Sequence, residues 1–421
     1  MSLRPKFNAL NSYRRSRKVS TVIRSMSALM ARILNRSDEA PVSSSSRCSP
    51  PWLMLSPSSN NTSYDLYSFS KNRVITIPKS EKKSEFHGTK IVGSSHGWLA
   101  CFNRRGNELF LSNPLSGLRV NLPPIRNLSI PDPSGVGLKK ILISCFDPES
   151  EECRAMMLFD VTNRLVFCCP GRSTEWAIIE SSYQDFVYCG THKLLFSIKN
   201  SIKLGLELEA WDLRNPRSPS LVWSCGVDKL EVGYDSVGPY KPSPEVGYYD
   251  SKGNPNTVQE NVSCSDHQNY VVVSQQGELF LVYRYINRYM LPDGSCAPMD
   301  PDESITKLRY PPKTVNYKVY KIVREGYGAK KVFMDGHLDG LVMFIGCLNN
   351  GMAMPAADAD GFQPDTICFT DDSFTISKSV RGTDNGIYDY KNKTFHPCYY
   401  PCDYQSLKKK ILPPPLWLTP H

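Results

Sequence analysis

The passage from Ile91 to Pro124 limits this chain more than any other, because it alternates short apolar runs with turn residues and leaves no stretch long enough for a helix. Gly93 to Gly97 reads as a small polar turn and Trp98 to Phe102 as an apolar strand. Arg104 to Asn107 is a turn around Gly106, and Glu108 to Leu111 is a second strand. Asn113, Pro114 and Gly117 punctuate again before a third, Leu118 to Leu122, since proline presets φ while glycine accepts φ > 0. A meander of three such strands cannot bury its apolar faces alone. Several units must stack, which predicts an all-β repeat architecture.

The same rhythm runs along the chain. Trp52 to Leu55, Tyr64 to Phe69 and Arg73 to Ile77 precede the passage as a first unit, and Ile91 to Leu122 is the second. Lys140 to Cys145, Arg154 to Phe159, Arg164 to Cys168 and Glu175 to Glu180 form a third; Phe186 to Cys189, Lys193 to Lys199, Glu207 to Leu213 and Ser220 to Ser224 form a fourth. Tyr270 to Ser274, Glu278 to Ile286 and Asn316 to Val323 supply most of a fifth, and Leu338 to Gly346, Thr366 to Thr370 and Gly386 to Tyr390 a sixth. The spacing, about one unit per 45–55 residues, falls in the range of propeller blades rather than of short solenoid repeats. A β-sandwich or two smaller β domains would show similar strand signals. Strands around Trp52 and Leu416 could pair to close a ring and remove its exposed edges. Gly226 to Asn261 and Leu291 to Thr314, dense in Gly, Pro and Ser or Asp, read as exposed insertions of the kind that carry binding surfaces or act as spacers.

Several strings resemble a known family. Gly93, Ser94, His96, Gly97 and Trp98, in the order Gly-Ser-Ser-His-Gly-Trp, are followed by Asn113-Pro114 and by Leu122-Pro-Pro. Near the other end come Thr370-Asp371-Asp372, Asp384-Asn-Gly386 and Pro-Pro-Leu-Trp417. In this order they resemble the plant KIB-type β-propeller family, over roughly Pro51 to Pro420. The resemblance implies a propeller fold and a binding role, and the count of units along the chain makes it an all-β propeller of about six, or else seven, blades. Many relatives carry an N-terminal F-box, others an organellar leader. An F-box needs a leucine-rich helical segment opening on Leu-Pro, which the N-terminal region does not contain; the chain therefore resembles the branch with a leader.

Charge supports that reading. The net charge of +9 invites a nucleic-acid partner. Residues 1–37 hold nine Arg and Lys and no acid, so the excess lies wholly in the leader and the rest of the chain is formally neutral. No nucleic-acid partner is expected of a neutral domain. Val19, Val22, Ile23, Met26, Leu29, Met30 and Ile33 recur at three- and four-residue spacing, so this segment reads as a basic amphipathic helix of the transit-peptide type. Residues 1–40 are expected to address the protein to the mitochondrion, or else the plastid, through the import machinery. Residues 41–50 form a Ser/Pro linker, and 51–421 the propeller. A basic arm for a membrane surface or a nucleic acid is the other reading. The longest clean apolar run, Leu341 to Leu348, is far below the ~18 residues of a membrane span, so a soluble protein is expected.

Chemistry is harder to find. His96 could expose an imidazole at a rim or hold its own turn, and Trp98 reads as core packing. His396, Cys398 and Cys402 carry zinc-type donors at a spacing that matches no common site. Asp358, Asp360 and Gly361 imitate the start of a calcium loop, whose last ligand is missing. Asp371, Asp372 and Asp384 could form an acid–base pair but read better as Asx turns. No nucleophile elbow, phosphate loop or dinucleotide fingerprint occurs. No cofactor, metal or catalytic residue is therefore expected. Three functions stay open: a non-enzymatic module holding a protein partner on rim loops, a ubiquitin-ligase substrate receptor lacking its own F-box, and an enzyme with a central-channel site.

Overall fold

The computed structural model describes residues 50–55, 63–78, 89–103, 105–128, 138–159, 162–201, 205–215, 217–227, 246–249, 255–258, 265–287, 313–325, 328–370, 384–399 and 415–419. All lie in one compact unit, Arg47–His421. The expectations for the transit segment and most of the linker fall outside these residues.

Nearly every described element is a strand, and a single turn of 3-10 helix, Ile125–Leu128, interrupts them. Consecutive strands pair as antiparallel neighbours, giving sheets in chain order. The first holds Trp52–Met54, Ser63–Ser68 and Arg73–Pro78 and is completed by Leu416–Leu418 from the far end of the chain. The expected closing pair forms with Trp52 opposite Leu418, Leu53 opposite Trp417 and Met54 opposite Leu416. The second sheet is Thr89–Ser95, Trp98–Asn103, Glu108–Ser112 and Arg119–Asn121. The third runs from Leu138 to Ser182 and the fourth from Asp185 to Gly226, each with four strands.

A nine-stranded sheet follows. Its first half, Ser265–Ser274, Leu279–Asn287, Lys313–Glu325 and Gly328–Phe333, is an ordinary meander. Its second half departs from the expected three strands: Met352–Pro355, Leu341–Ile345, Thr366–Phe369, Gly386–Asp389 and Thr394–His396 lie side by side, with Val342 paired in parallel to Thr366. Among the described residues only two strand-ladder pairs, Val273 with Met352 and Ser274 with Ala353, join the halves as one sheet. The insertion expected at 226–261 carries a hairpin, Val246–Tyr249 with Pro255–Val258, rather than irregular chain throughout. The one expected at 291–314 gives way to strand by Lys313; residues 288–312 lie outside the described ones.

Side chains on a strand alternate between faces, and in strands such as Trp98–Asn103 and Ala155–Phe159 both faces are buried. In Trp98–Asn103, Trp98, Ala100 and Phe102 pack with the third sheet, while Leu99 and Cys101 pack with the first. In Ala155–Phe159, Ala155, Met157 and Phe159 face the second sheet and Met156 and Leu158 the fourth. Strands buried on both faces read as unbroken apolar runs, which is why the sequence shows runs rather than alternation. Among the described residues six apolar clusters result, each shared by two neighbours in chain order. The last joins Val342 and Phe344 to Leu53 and Trp417, so the stack returns to its first sheet.

Buried polar ties cross the same interfaces. Lys140 of the third sheet donates to Asp185 of the fourth at 2.6 Å, and the other oxygen of Asp185 accepts the Val271 N–H of the next at 3.0 Å. A buried Arg154 donates to the carbonyls of Leu213 and Arg214 at 2.7 and 2.6 Å.

Candidate functional site

The innermost strands converge on one short segment, Gly346 to Gly351. Ser94 of the second sheet donates its N–H to Leu348 O at 2.7 Å and bridges to Asn349 in parallel. Asn349, buried, takes the Trp417 N–H on its Oδ1 at 3.2 Å and donates Nδ2 to the Trp417 carbonyl. Tyr188 N–H of the fourth sheet reaches Asn350 Oδ1 at 3.4 Å, and Val273 N–H reaches Gly351 O at 3.2 Å. A segment bonded to four different sheets sits where those sheets meet. The chain's own backbone thus fills the place where these four sheets come together. Asn349→Ala should cost about 1–3 kcal/mol, because it strands a buried N–H and a buried C=O of Trp417; a urea titration against the parent measures it.

The signature residues serve this centre and the interfaces around it. Gly93 is not part of a turn, as the sequence suggests, but lies inside Thr89–Ser95 at a register shift. A Cβ there would overlap the carbonyl oxygen of Ile141, so glycine permits the second and third sheets to touch backbone to backbone. Ser95 Oγ accepts the Ile143 N–H at 2.8 Å. The turn itself is only His96 and Gly97, with φ of 51° and 75°, flanked by the pair Ser95 and Trp98. Positive φ at both positions is the primed hairpin turn that matches strand twist. His96 is half-buried. Trp98 is core, as expected, and its Nε1–H donates to Phe146 O at 2.8 Å. Asn113 Oδ1 accepts the N–H groups of Leu115 and Ser116 at 2.9 and 3.0 Å, so Asn113-Pro114 is an Asx turn.

At the C-terminal signature, Thr370 is buried and its N–H donates to Ile345 O at 3.2 Å. Asp371 and Asp372 lie outside the described residues. Asp384 is a buried ion-pair partner: its Oδ2 receives Arg284 Nη2 at 2.8 Å, Thr314 N–H at 2.8 Å and the Thr314 hydroxyl at 2.5 Å. Gly386 opens the next strand against the ring of Phe369. Trp417, buried in the closing strand, donates Nε1–H to Ile345 O at 3.2 Å.

The remaining candidates are dispersed. Thr394 Oγ1 and His396 Nε2 lie 3.1 Å apart at an exposed edge, Cys398 packs at the margin of an apolar cluster, and Cys402 is outside the described residues. Asp358 and Phe362 donate their N–H groups into tight turns, and Asp365 Oδ1 accepts Leu338 and Gly340 N–H at 2.6 and 3.0 Å. Among the described residues no three His, Cys, Asp or Glu side chains gather as a metal site, and no helix is long and apolar enough to cross a membrane. Sequence reasoning missed Arg284 and Asn349. A charge inside the apolar run from Leu279 to Ile286, and Asn-Asn bracketed by Gly346 and Gly351, were the available signals.

A search of curated proteins finds no match. Among solved structures, the N-terminal domain of Nup159 is 10% identical over 87% of this chain and 80% of that one, with a TM-score of 0.31. A S. cerevisiae complex of Dbp5 with Nup159 and Gle1 gives 9%, 82%, 88% and 0.31; Kuenenia stuttgartiensis hydrazine synthase gives 8%, 70%, 98% and 0.27. Likeness this remote bears on neither fold nor function. The KIB1-4 β-propeller family profile matches residues 66–389, and with sheets that stack in chain order and close on a strand from the far end, the chain belongs to the KIB1-4 β-propeller family.

Proposed function

We propose that this protein is a non-enzymatic binding module: a six-bladed propeller, carried into the mitochondrion by residues 1–37, that holds a protein partner on loops at one rim. The nine-stranded sheet counts as two blades because only two strand-ladder pairs join its halves. The observation that carries the reading is that the chain's own backbone fills the place where four sheets come together. An enzyme of this architecture would place convergent polar groups in an open central cleft. Here Asn349 and Asn350 fill that place, and their side-chain amides are engaged by backbone groups of Trp417 and Tyr188. Contact surface is then left to the rims, where loops vary without cost to the packed core. The insertion around the Val246–Tyr249 hairpin is the natural element for it.

Affinity capture from isolated mitochondria, comparing the full chain with one lacking Gly226 to Asn261, tests the surface. The shorter chain should recover several-fold less of the partner; equal recovery would set the insertion aside. A fluorescent fusion with and without residues 1–37 tests the address. Removal should disperse a mitochondrial signal, and a diffuse signal from both would end the import reading.

A further inference from the structure

Ten cysteines among the described residues are free thiols, and two of them face each other. In the third sheet Ile143 pairs with Ala155, and the Ser144 N–H donates to Arg154 O at 2.9 Å. One step further along this ladder sets Cys145 opposite Cys153. Ser144 and Arg154 are a hydrogen-bonded pair, so the next pair is the closely spaced, non-hydrogen-bonded kind, with Cα atoms about 4.5 Å apart. That separation lies within the range a disulfide spans. The two thiols perturb each other directly, and the Cys145 thiol also donates to the Asp147 carbonyl at 3.2 Å. Cys145 is partly exposed at the end of the sheet, whereas Cys153 is fully buried beneath it.

We propose that Cys145 and Cys153 form a reversible redox site, in which Cys145 attacks a small disulfide and Cys153 resolves the product into an intramolecular disulfide. The division of labour follows from the environments. The neighbouring Cys153 thiol lowers the Cys145 thiol to about 7 against partial burial, which makes Cys145 the readier of the two to ionise. Cys153 is pushed far up, first by its contact with the Cys145 thiol, then by burial and by the neighbouring Cys145 charge. Two of those three causes disappear once Cys145 carries a substituent, which frees Cys153 for the second step.

The chemistry balances. Cys145 thiolate displaces one thiolate from the small disulfide and leaves a mixed disulfide; Cys153 then attacks the Cys145 sulfur as its proton passes to the departing second thiolate, which leaves as a thiol. Two protein thiols are oxidised and one small disulfide is reduced to two thiols. The bond would fix the loop that carries Phe146, whose side chain is 68% exposed and whose carbonyl accepts the Trp98 indole N–H. Oxidation would thus act one residue from the signature turn.

The test incubates the full-length protein with glutathione disulfide at neutral pH, blocks remaining thiols in acid, and analyses tryptic peptides. Ile141 to Arg154 is one such peptide and holds both cysteines and no others. It should be recovered lighter by its two thiol hydrogens, and a thiol reductant should reverse the change. Cys145 should react about tenfold faster than the partly buried Cys225 and Cys347. In Cys153→Ser, glutathione should stay attached to Cys145. A wild-type peptide that keeps both thiols, or retains glutathione without closing, or closes only after the protein is unfolded in urea, would overturn the proposal; none of these readings depends on a variant that folds.

Discussion

Arg284→Ala is expected to destabilise the protein by about 3–5 kcal/mol, the range for removing one member of a buried ion pair. Arg284 is 1% exposed and lies in Leu279–Asn287; Asp384 is 5% exposed and precedes Gly386–Asp389 in the other half of the nine-stranded sheet. Besides Asp384, the guanidinium donates Nε–H to Thr314 Oγ1 at 2.7 Å and Nη1–H to the Tyr270 hydroxyl at 3.2 Å, and it stands 5.4 Å from the centre of the Phe369 ring. Truncation leaves the Asp384 carboxylate in that interior with only the Thr314 donors. The loss is therefore mostly the cost of an uncompensated charge. The double variant Arg284→Met with Asp384→Leu should recover most of the stability, since an apolar replacement of a whole buried pair is often neutral. Urea unfolding of the parent, the single and the double variant measures both effects. A single variant within about 1 kcal/mol of the parent would show that the pair does not hold the two halves together.

Local features of the fold were open to sequence reading, and long-range demands were not. Most strands of the second, third and fourth sheets fall within a few residues of expectation, because turn residues such as Asn163 and Gly117, both at positive φ, mark their ends; Thr89–Ser95, read as leading into a turn at Gly93, is the exception. The closing pair was visible because an apolar Leu-Trp-Leu near the end matched Trp-Leu-Met near the start. The turn at Asn113-Pro114 needs nothing beyond its own residues. The parallel pairing of Leu341–Ile345 with Thr366–Phe369 was invisible, since a short apolar run does not state its direction. Asp384 read as a turn residue because its partners Arg284 and Thr314 lie in other strands, the nearer of them seventy positions away. The role of Asn349 required four sheets to be assembled first.

Gly93 separates the two kinds of information, and the second large effect is predicted there. Read locally, Gly93-Ser-Ser-His-Gly97 is a turn bounded by two equivalent glycines. In the fold Gly97 supplies positive φ, whereas Gly93 lies outside the left-handed region and supplies the absence of a Cβ. Gly93→Ala would set a methyl group against the backbone of Ile141, in a strand held on its other side by Ala155 and Met157. Neither strand can yield by a side-chain rotation, so the two sheets must part and the apolar cluster shared by Trp98, Phe102 and Ile141 opens with them. A cost of about 3 kcal/mol, the upper end for overpacking, is expected. Gly117→Ala is the comparison: φ is +72° there, with nothing within 4 Å of a Cβ, so only backbone strain of about 1–2 kcal/mol applies. Chemical denaturation of both variants should rank Gly93→Ala as the more damaging. The reverse order would mean that Gly93 is the turn glycine its local sequence suggests, and that the second and third sheets do not meet backbone to backbone.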